Sequence, residues 1–261
     1  MDKQKCIAKV AQTDEDRLLF ARIYDRLTGA EQKNIPASTW FLSPREQVLI
    51  RRMLAPMELR FFGGSDQAER AVCCWLPDYL EEDWLTGEDS PICAVRATYF
   101  EKDQLTHRDF LGSLMGSGIK RETVGDIYVG TGSCDFLVTR EILPYVLDNL
   151  VSAGRTKLRV EQIALEQLAV PAVSVREFRD TVSSLRLDSI VGSGFRMARG
   201  KAVALIEAGK VSLNDLPCLK PDKLLTEGDK ISARGFGKLI LAQIGGKTKK
   251  DRISIVLEQY Q

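Results

Sequence analysis

The chain has 261 residues, 44% hydrophobic and 28% charged, with 37 Lys and Arg against 36 Asp and Glu. That size suits two or three modest globular domains, and no apolar run approaches the roughly 20 residues of a membrane span. Met1-Asp2-Lys3-Gln4-Lys5-Cys6 lacks the apolar stretch of a secretory signal, so a cytoplasmic protein with no membrane partner is expected. The six cysteines stand singly or as Cys73-Cys74, without a CxxC pair, and His107 is the one histidine. Zinc-ligand spacing is therefore missing. Reduced core cysteines, with no metal and no cofactor, are the expectation.

Thr13-Asp14-Glu15-Asp16 opens a helix in which Leu19, Ile23 and Leu27 recur every four residues, and Thr28-Gly29 is expected to stop it. Ser43-Pro44-Arg45-Glu46 spells a capping box with proline at the first helical position, and the helix it starts ends before Pro56. Met57 to Phe61 alternates like a half-buried strand, Phe62-Gly63-Gly64 turns the chain, and Ala71 to Leu76 reads as a buried strand closed by Pro77. Asp78 to Asp89 is an acidic, exposed connection.

Beyond it, Ile92 to Phe100 reads as a strand and Thr106-His107-Arg108-Asp109 as a helix start broken at Gly116-Ser117-Gly118. Asp126 to Val138 carries a hairpin signal around Gly130-Thr131-Gly132, Glu141 to Leu150 is helical, and Lys157 to Ile163 is again strand-like. This β-α-β-β-α-β order is ferredoxin-like and is shared by RNA-recognition modules, though fold order alone confers no function. Val173 to Asp180 shows no strong pattern and is expected to lead into a last domain. The fold class is α+β, with a small N-terminal α/β domain over residues 1–77, a ferredoxin-like (RRM-like) domain over 78–180 and a third domain over 181–261.

Charge is uneven. From Ser183 onward there are 14 Lys and Arg against 8 Asp and Glu, while the remainder holds 23 against 28. A basic end on an acidic body is the pattern of a nucleic-acid contact at that end. Ala198, Ala202, Leu205 and Ile206 form an apolar stripe for a helix over Phe195 to Ala208, capped by Gly209. Arg196, Arg199 and Lys201 lie off the stripe near the helix start, where cations oppose the macrodipole by a few tenths of a kcal/mol each. An external phosphate accounts for that placement. Arg186 precedes a first short helix that Asp188 can cap, and Lys210, Lys230, Arg234 and Lys238 add charge from strand ends and turns. Gly235-Phe236-Gly237 offers one ring for stacking.

That order of arginine-led short helix, basic second helix, glycine stop, short strand, Gly228-Asp229 turn and basic strand resembles the S4-type RNA-binding domain over residues 183–240. The resemblance implies an S4-like α-L domain with Arg186, Arg199, Lys201 and Lys210 facing RNA and Leu187, Leu205 and Ile206 in the core. Ala198 departs from the family's serine. Asn214-Asp215 replaces its Asn-Gly, which weakens the signal for a type I′ turn.

No catalytic residues are expected. His107-Arg108-Asp109 copies a kinase triplet, but Leu114 stands where the metal-binding asparagine belongs. Gly246-Lys247-Thr248 copies the end of a P-loop, but Leu241 replaces its first glycine. Phe62-Gly63-Gly64, Ala68-Glu69-Arg70, Leu105 to Gly112, Gly118 to Glu122 and Gly125-Asp126-Ile127, followed by the S4-type segment and Lys249-Lys250-Asp251-Arg252, resemble the bacterial YlmH family across nearly the whole chain. The resemblance implies a non-enzymatic factor, a monomer, that binds the large ribosomal subunit through ribosomal RNA and peptidyl-tRNA. It implies a part in the rescue of stalled translation, supporting alanine tailing and working with quality-control proteins.

His107, Arg108, Lys120 and Arg121, at the ends of one helix-turn segment, are candidates for a second RNA contact. Two alternatives stay open: an RNA-modifying enzyme with acid–base chemistry at His107 and Asp109, or a protein-interaction factor linked to cell division. Reversing Arg186, Arg199 and Lys201 to Glu is expected to remove ribosome binding while leaving the fold intact.

Overall fold

The computed structural model describes residues 2–260, which divide into a unit running to Pro171 and another starting at Ala172. In the first unit α1 (Lys3–Ala8) leads to α2 (Asp14–Lys33). The Thr13 hydroxyl accepts from the Asp16 amide at 3.1 Å, as an N-cap should. The helix does not stop at Thr28-Gly29. It continues until Asn34 takes a left-handed conformation (φ 52°). Ala30, buried one turn beyond Leu27, keeps the apolar stripe going. A lone glycine costs a helix only about 1 kcal/mol.

β1 (Ala37–Leu42) is a strand that local patterning did not mark. The capping box at Ser43 then opens α3 (Pro44–Met53), with the Glu46 carboxylate accepting from the Ser43 amide at 2.6 Å. Arg45 reaches back from α3 to α2 and donates to both Asp16 carboxylate oxygens at 2.8 and 2.7 Å. β2 (Leu59–Phe62) and β3 (Ala71–Trp75) complete an antiparallel sheet in the order β1-β3-β2.

The second sheet uses β4 (Ile92–Thr98), α4 (His107–Gly116), β5 (Val124–Val129), β6 (Ser133–Thr139), α5 (Leu143–Asn149) and β9 (Arg159–Ile163), in the strand order β5-β6-β4-β9. The short ribbon β7 (Ser152–Ala153) with β8 (Thr156–Lys157) fills the connection after α5. Strand alternation sends Cys93, Val95, Ala97, Cys134, Phe136 and Val138 toward Phe110 and Leu114 of α4 and Val146 of α5. The opposite face, with Ile92, Ala94 and Leu137, packs on Phe41, Val72 and Cys74 of the first sheet. Each fully buried Val, Leu, Ile or Phe among them is worth about 1.5–3 kcal/mol. The five cysteines Cys6, Cys73, Cys74, Cys93 and Cys134 are buried and unpaired, and burial pushes the Cys74 thiol up to about 12.

The joint between the two sheets is built from the glycines and charges singled out in the sequence. A side chain at Gly63 would place its first carbon 2.4 Å from the Ala68 Cβ and 2.5 Å from the Arg70 carbonyl, and one at Gly125 would lie 2.7 Å from the Phe41 ring. The Asp126 carboxylate accepts from the amides of Glu69 (2.6 Å) and Arg70 (3.3 Å). Arg70 donates through Nε to the Val124 carbonyl at 3.1 Å and through Nη2 to the Phe41 carbonyl at 2.8 Å.

In the second unit β10 (Val175–Val182) is a strand rather than a structureless lead, paired with β15 (Ile253–Tyr260) residue for residue from Val175 to Val182. It is an edge strand, largely exposed on both faces. No apolar alternation was required of it, which hid it from pattern reading. α6 (Leu187–Gly194), α7 (Arg199–Glu207), β11 (Val211–Leu213), β12 (Leu216–Pro217), β13 (Lys230–Ala233) and β14 (Gly237–Lys247) complete a sheet ordered β10-β15-β14-β13-β11-β12. Ile190, Val191, Ala202 and Ile206 of the helices meet Val211, Ile231, Leu239, Leu241, Ile255 and Leu257 of the sheet. Asn214 and Asp215 both take positive φ (50° and 66°), so the type I′ turn forms without glycine. The Asn214 side chain supports it, donating to Asp229 at 2.8 Å and accepting from the Lys230 amide at 2.9 Å.

Candidate nucleic-acid interface

The predicted helix from Phe195 to Ala208 begins four residues later. Phe195 closes α6, Arg196 turns through a left-handed conformation (φ 52°), and Ala198 is the N-cap of α7. Arg199 and Lys201 therefore occupy the first turn of α7, the end that attracts anions. Ala198 makes no side-chain cap, which leaves the amides there without the help a serine would give.

Asp188 does not cap α6. Its carboxylate, on a residue 1% exposed, receives Arg186 Nε and Nη2 at 3.2 Å each and Arg199 Nε and Nη2 at 3.0 and 2.9 Å. Burial pushes this carboxyl up, but the hydrogen bonds from the two arginines outweigh that, and it lies below the ordinary aspartate value. Both arginine side chains remain partly open to solvent, at 36% and 55%. The clamp spends one buried carboxylate to hold two arginine forks in fixed orientation, which suits bidentate phosphate recognition. Charge reversal at Arg186 or Arg199 would put new carboxylates beside buried Asp188, so that test confounds binding with folding, contrary to expectation.

Lys201 places its ammonium 5.3 Å from the centre of the Phe236 ring, which also meets Phe195 at 6.0 Å. Phe236 is thus partly committed to the core. The Arg234 amide donates to the Lys210 carbonyl at 2.9 Å, bringing these two exposed cations side by side. Lys230 pairs with Asp215 at 2.6 Å and is half-buried, and Lys238 lies opposite Ser232 on β14. A shallow hollow of about 330 Å³ adjoins the clamp and is lined by Arg199, Ser189, Ser193 and Arg252. Arg252 donates to the Thr181 hydroxyl at 2.9 Å. Its closeness to Arg199 depends on strand pairing and has no local sequence signal.

The other four candidates do not converge. His107 and Arg108 are exposed at the start of α4, and Lys120 follows its end, with about 15 Å of helix between. Arg121 turns inward and donates to the carbonyls of Val124 and Gly125. Burial, with Arg70 nearby, brings its guanidinium down to about 10. Asp109 closes the cap of α4, accepting from the Thr106 amide at 2.8 Å and hydroxyl at 2.6 Å, and those bonds hold it below its usual value. Its carboxylate is occupied away from His107 chemistry. The β-sheet face that RNA-recognition modules use for base stacking is covered here by Phe41, Val72 and Cys74. Among the described residues no three His, Cys, Asp or Glu are grouped to hold a metal, and no helix is long and apolar enough to cross a membrane.

Comparison with known proteins gives a consistent result. The family described as "Putative RNA-binding domain in YlmH" matches residues 88–167. A protein of Bacillus subtilis (strain 168) named ribosome-associated protein quality control protein P2 is 38% identical over 224 residues, covering 85% of this chain and 86% of that one. The solved structure of cell division protein ylmH from Streptococcus pneumoniae superimposes with a TM-score of 0.50 at 22% identity, covering 62% of this chain and 98% of that one, a likeness of fold. On the strength of the near full-length identity, the chain belongs to the YlmH family.

Proposed function

We propose that this chain is a non-enzymatic, cytoplasmic RNA-binding factor that docks on the large ribosomal subunit during rescue of stalled translation. In this reading residues 181–261 form an S4-like domain. Its clamp arginines, with Arg196, Lys201, Lys210, Lys230, Arg234 and Lys238, grip the backbone of ribosomal RNA and peptidyl-tRNA. The observation that carries it is the Asp188 clamp: two partly exposed arginines fixed by one buried carboxylate, next to the basic first turn of α7. The B. subtilis relative's name supplies the ribosomal setting. The N-terminal unit orients the factor against tRNA or a quality-control protein, and support of alanine tailing follows from residence at the obstructed subunit.

The test uses cations outside the Asp188 clamp. Arg196, Lys201 and Lys210 are exposed and take part in no ion pair among the described residues. Reversing all three to Glu is expected to weaken co-sedimentation with large subunits by about 100-fold or more, and binding by the parent chain falls steeply with salt. Circular dichroism of the variant stays that of the parent. Undiminished co-sedimentation would rule this face out.

A further inference from the structure

The N-terminal unit contains a cleft of about 980 Å³, lined from one side by α2 and β1 and from the other by the segments after α4 and β6. Arg22, Arg26, Lys120 and Arg140 line it, against the carboxylates Glu122 and Glu141, so the surplus is positive in a unit that is acidic overall. Arg26 and Lys120 are exposed and take part in no ion pair among the described residues. Arg22 lies over the Trp40 ring at 4.3 Å from its centre, with Glu122 3.9 Å away. Arg140 donates through Nε to the Ser90 carbonyl at 2.6 Å, which fixes its stem at the rim.

One further feature points to a ligand. Thr139, 9% exposed, lines this cleft, and its hydroxyl is the one buried side-chain polar atom without a hydrogen-bond partner among the described residues. Native proteins rarely leave such a group unpaired, because its desolvation is uncompensated. A planar stack, free cations and one unsatisfied hydroxyl within a cleft of this size match the parts of a nucleotide: base, phosphate and a hydrogen-bonding edge.

We propose that this cleft binds a nucleoside 5′-phosphate unit, either an unpaired residue of RNA or a free mononucleotide. The base lies on the Arg22–Trp40 stack, the phosphate meets Arg26, Lys120 and Arg140, and the Thr139 side chain, whose hydroxyl is closed off from solvent in this structure, rotates to bond a base or ribose edge. The inference goes beyond the arginine clamp and stands without it. It also gives Lys120 a role that His107, Arg108 and Arg121 do not share.

The experiment titrates the full chain with AMP, UMP, adenosine and the pentanucleotides of adenylate and uridylate, reading tryptophan fluorescence and equilibrium dialysis. Saturable mononucleotide binding is expected, with adenosine about tenfold weaker and the Arg26→Ala, Lys120→Ala double variant weaker by a similar factor. Thr139→Val is expected to weaken binding while unfolding at a temperature no lower than the parent's, because it removes an unpaired buried hydroxyl. Trp40→Phe removes the fluorescence response.

A pentanucleotide that binds more tightly than a mononucleotide, and loses that advantage in the double variant, identifies RNA as the source. Equal affinities identify the free nucleotide. The chain with Arg196, Lys201 and Lys210 reversed keeps mononucleotide affinity, so failure of the clamp reading and of this one are distinguishable. Absence of saturation at millimolar ligand, or binding indifferent to Arg26, Lys120 and Thr139, would overturn the proposal.

Discussion

Asp188→Ala is expected to destabilise the C-terminal unit by about 1–3 kcal/mol and to weaken RNA binding about tenfold. The carboxylate is buried and accepts all four hydrogen bonds that orient Arg186 and Arg199. Removing one partner of a buried ion pair costs about 3–5 kcal/mol when the other is stranded, but here both arginines reach solvent and recover part of it. The binding loss comes from orientation, since net positive charge on this face rises while two guanidinium forks lose their fixed geometry. Asp188→Asn falls between, keeping the shape and losing the charge.

The pH dependence follows from the lowered carboxyl. A group whose folded value lies below its unfolded value stabilises fully above the unfolded value and loses that stabilisation as pH falls through the folded one. The stability gap between parent and Asp188→Ala therefore closes on acidification below about pH 4. Urea denaturation at neutral and acid pH measures it. A gap that widens toward acid would contradict the clamp.

Asp135→Ala is expected to destabilise the N-terminal unit by about 3 kcal/mol or more. Asp135 is 2% exposed and lies on the sheet face turned toward Phe41 and Val72. It takes both forks of Arg96 at 2.7 Å and the Ala169 amide at 2.8 Å, while Arg96 also holds the Gln167 carbonyl at 2.7 Å. Arg96, 28% exposed, is less open to water than either clamp arginine. One substitution thus frees a cation, an amide and the segment after β9 together. Thermal unfolding reads the loss, while RNA binding through Arg196, Lys201 and Lys210 stays at the parent value below the transition. A loss below about 1 kcal/mol would mean that water replaces the carboxylate without difficulty.

Where a few neighbouring residues decide the outcome, the fold could be read in advance. Ser43-Pro44-Arg45-Glu46 and Thr106 to Asp109 close their own caps, and Gly130-Thr131-Gly132 sets the β5–β6 hairpin. Where the decision is tertiary, reading failed. β10 is charged on both faces and exists because β15 pairs with it, and α2 runs past Gly29 because Ala30 has a core to enter. The Phe195–Gly200 stretch looked helical throughout, but Arg196 takes the left-handed turn that separates α6 from α7.

The candidate site divides the same way. Arg186, Arg199 and Lys201 were visible as cations at helix starts. That Asp188 grips two of them was hidden, because a carboxylate two residues after Arg186 and eleven before Arg199 also reads as a cap. The motif residues Gly63, Arg70, Gly125 and Asp126 were conspicuous without a role, and their work is to let two sheets meet closely. Thr139 had no sequence signal, since an unpaired hydroxyl is a property of its surroundings.

The central claim is that the basic face of the C-terminal unit grips ribosomal RNA. Ultraviolet crosslinking in bacterial cells, with sequencing of the bound RNA and mapping of the crosslinked peptides, tests it most directly. The prediction is large-subunit ribosomal RNA and tRNA joined to peptides spanning Arg186 to Lys210 and Arg234 to Lys238. Crosslinks to messenger RNA alone, or none in those peptides, would contradict it.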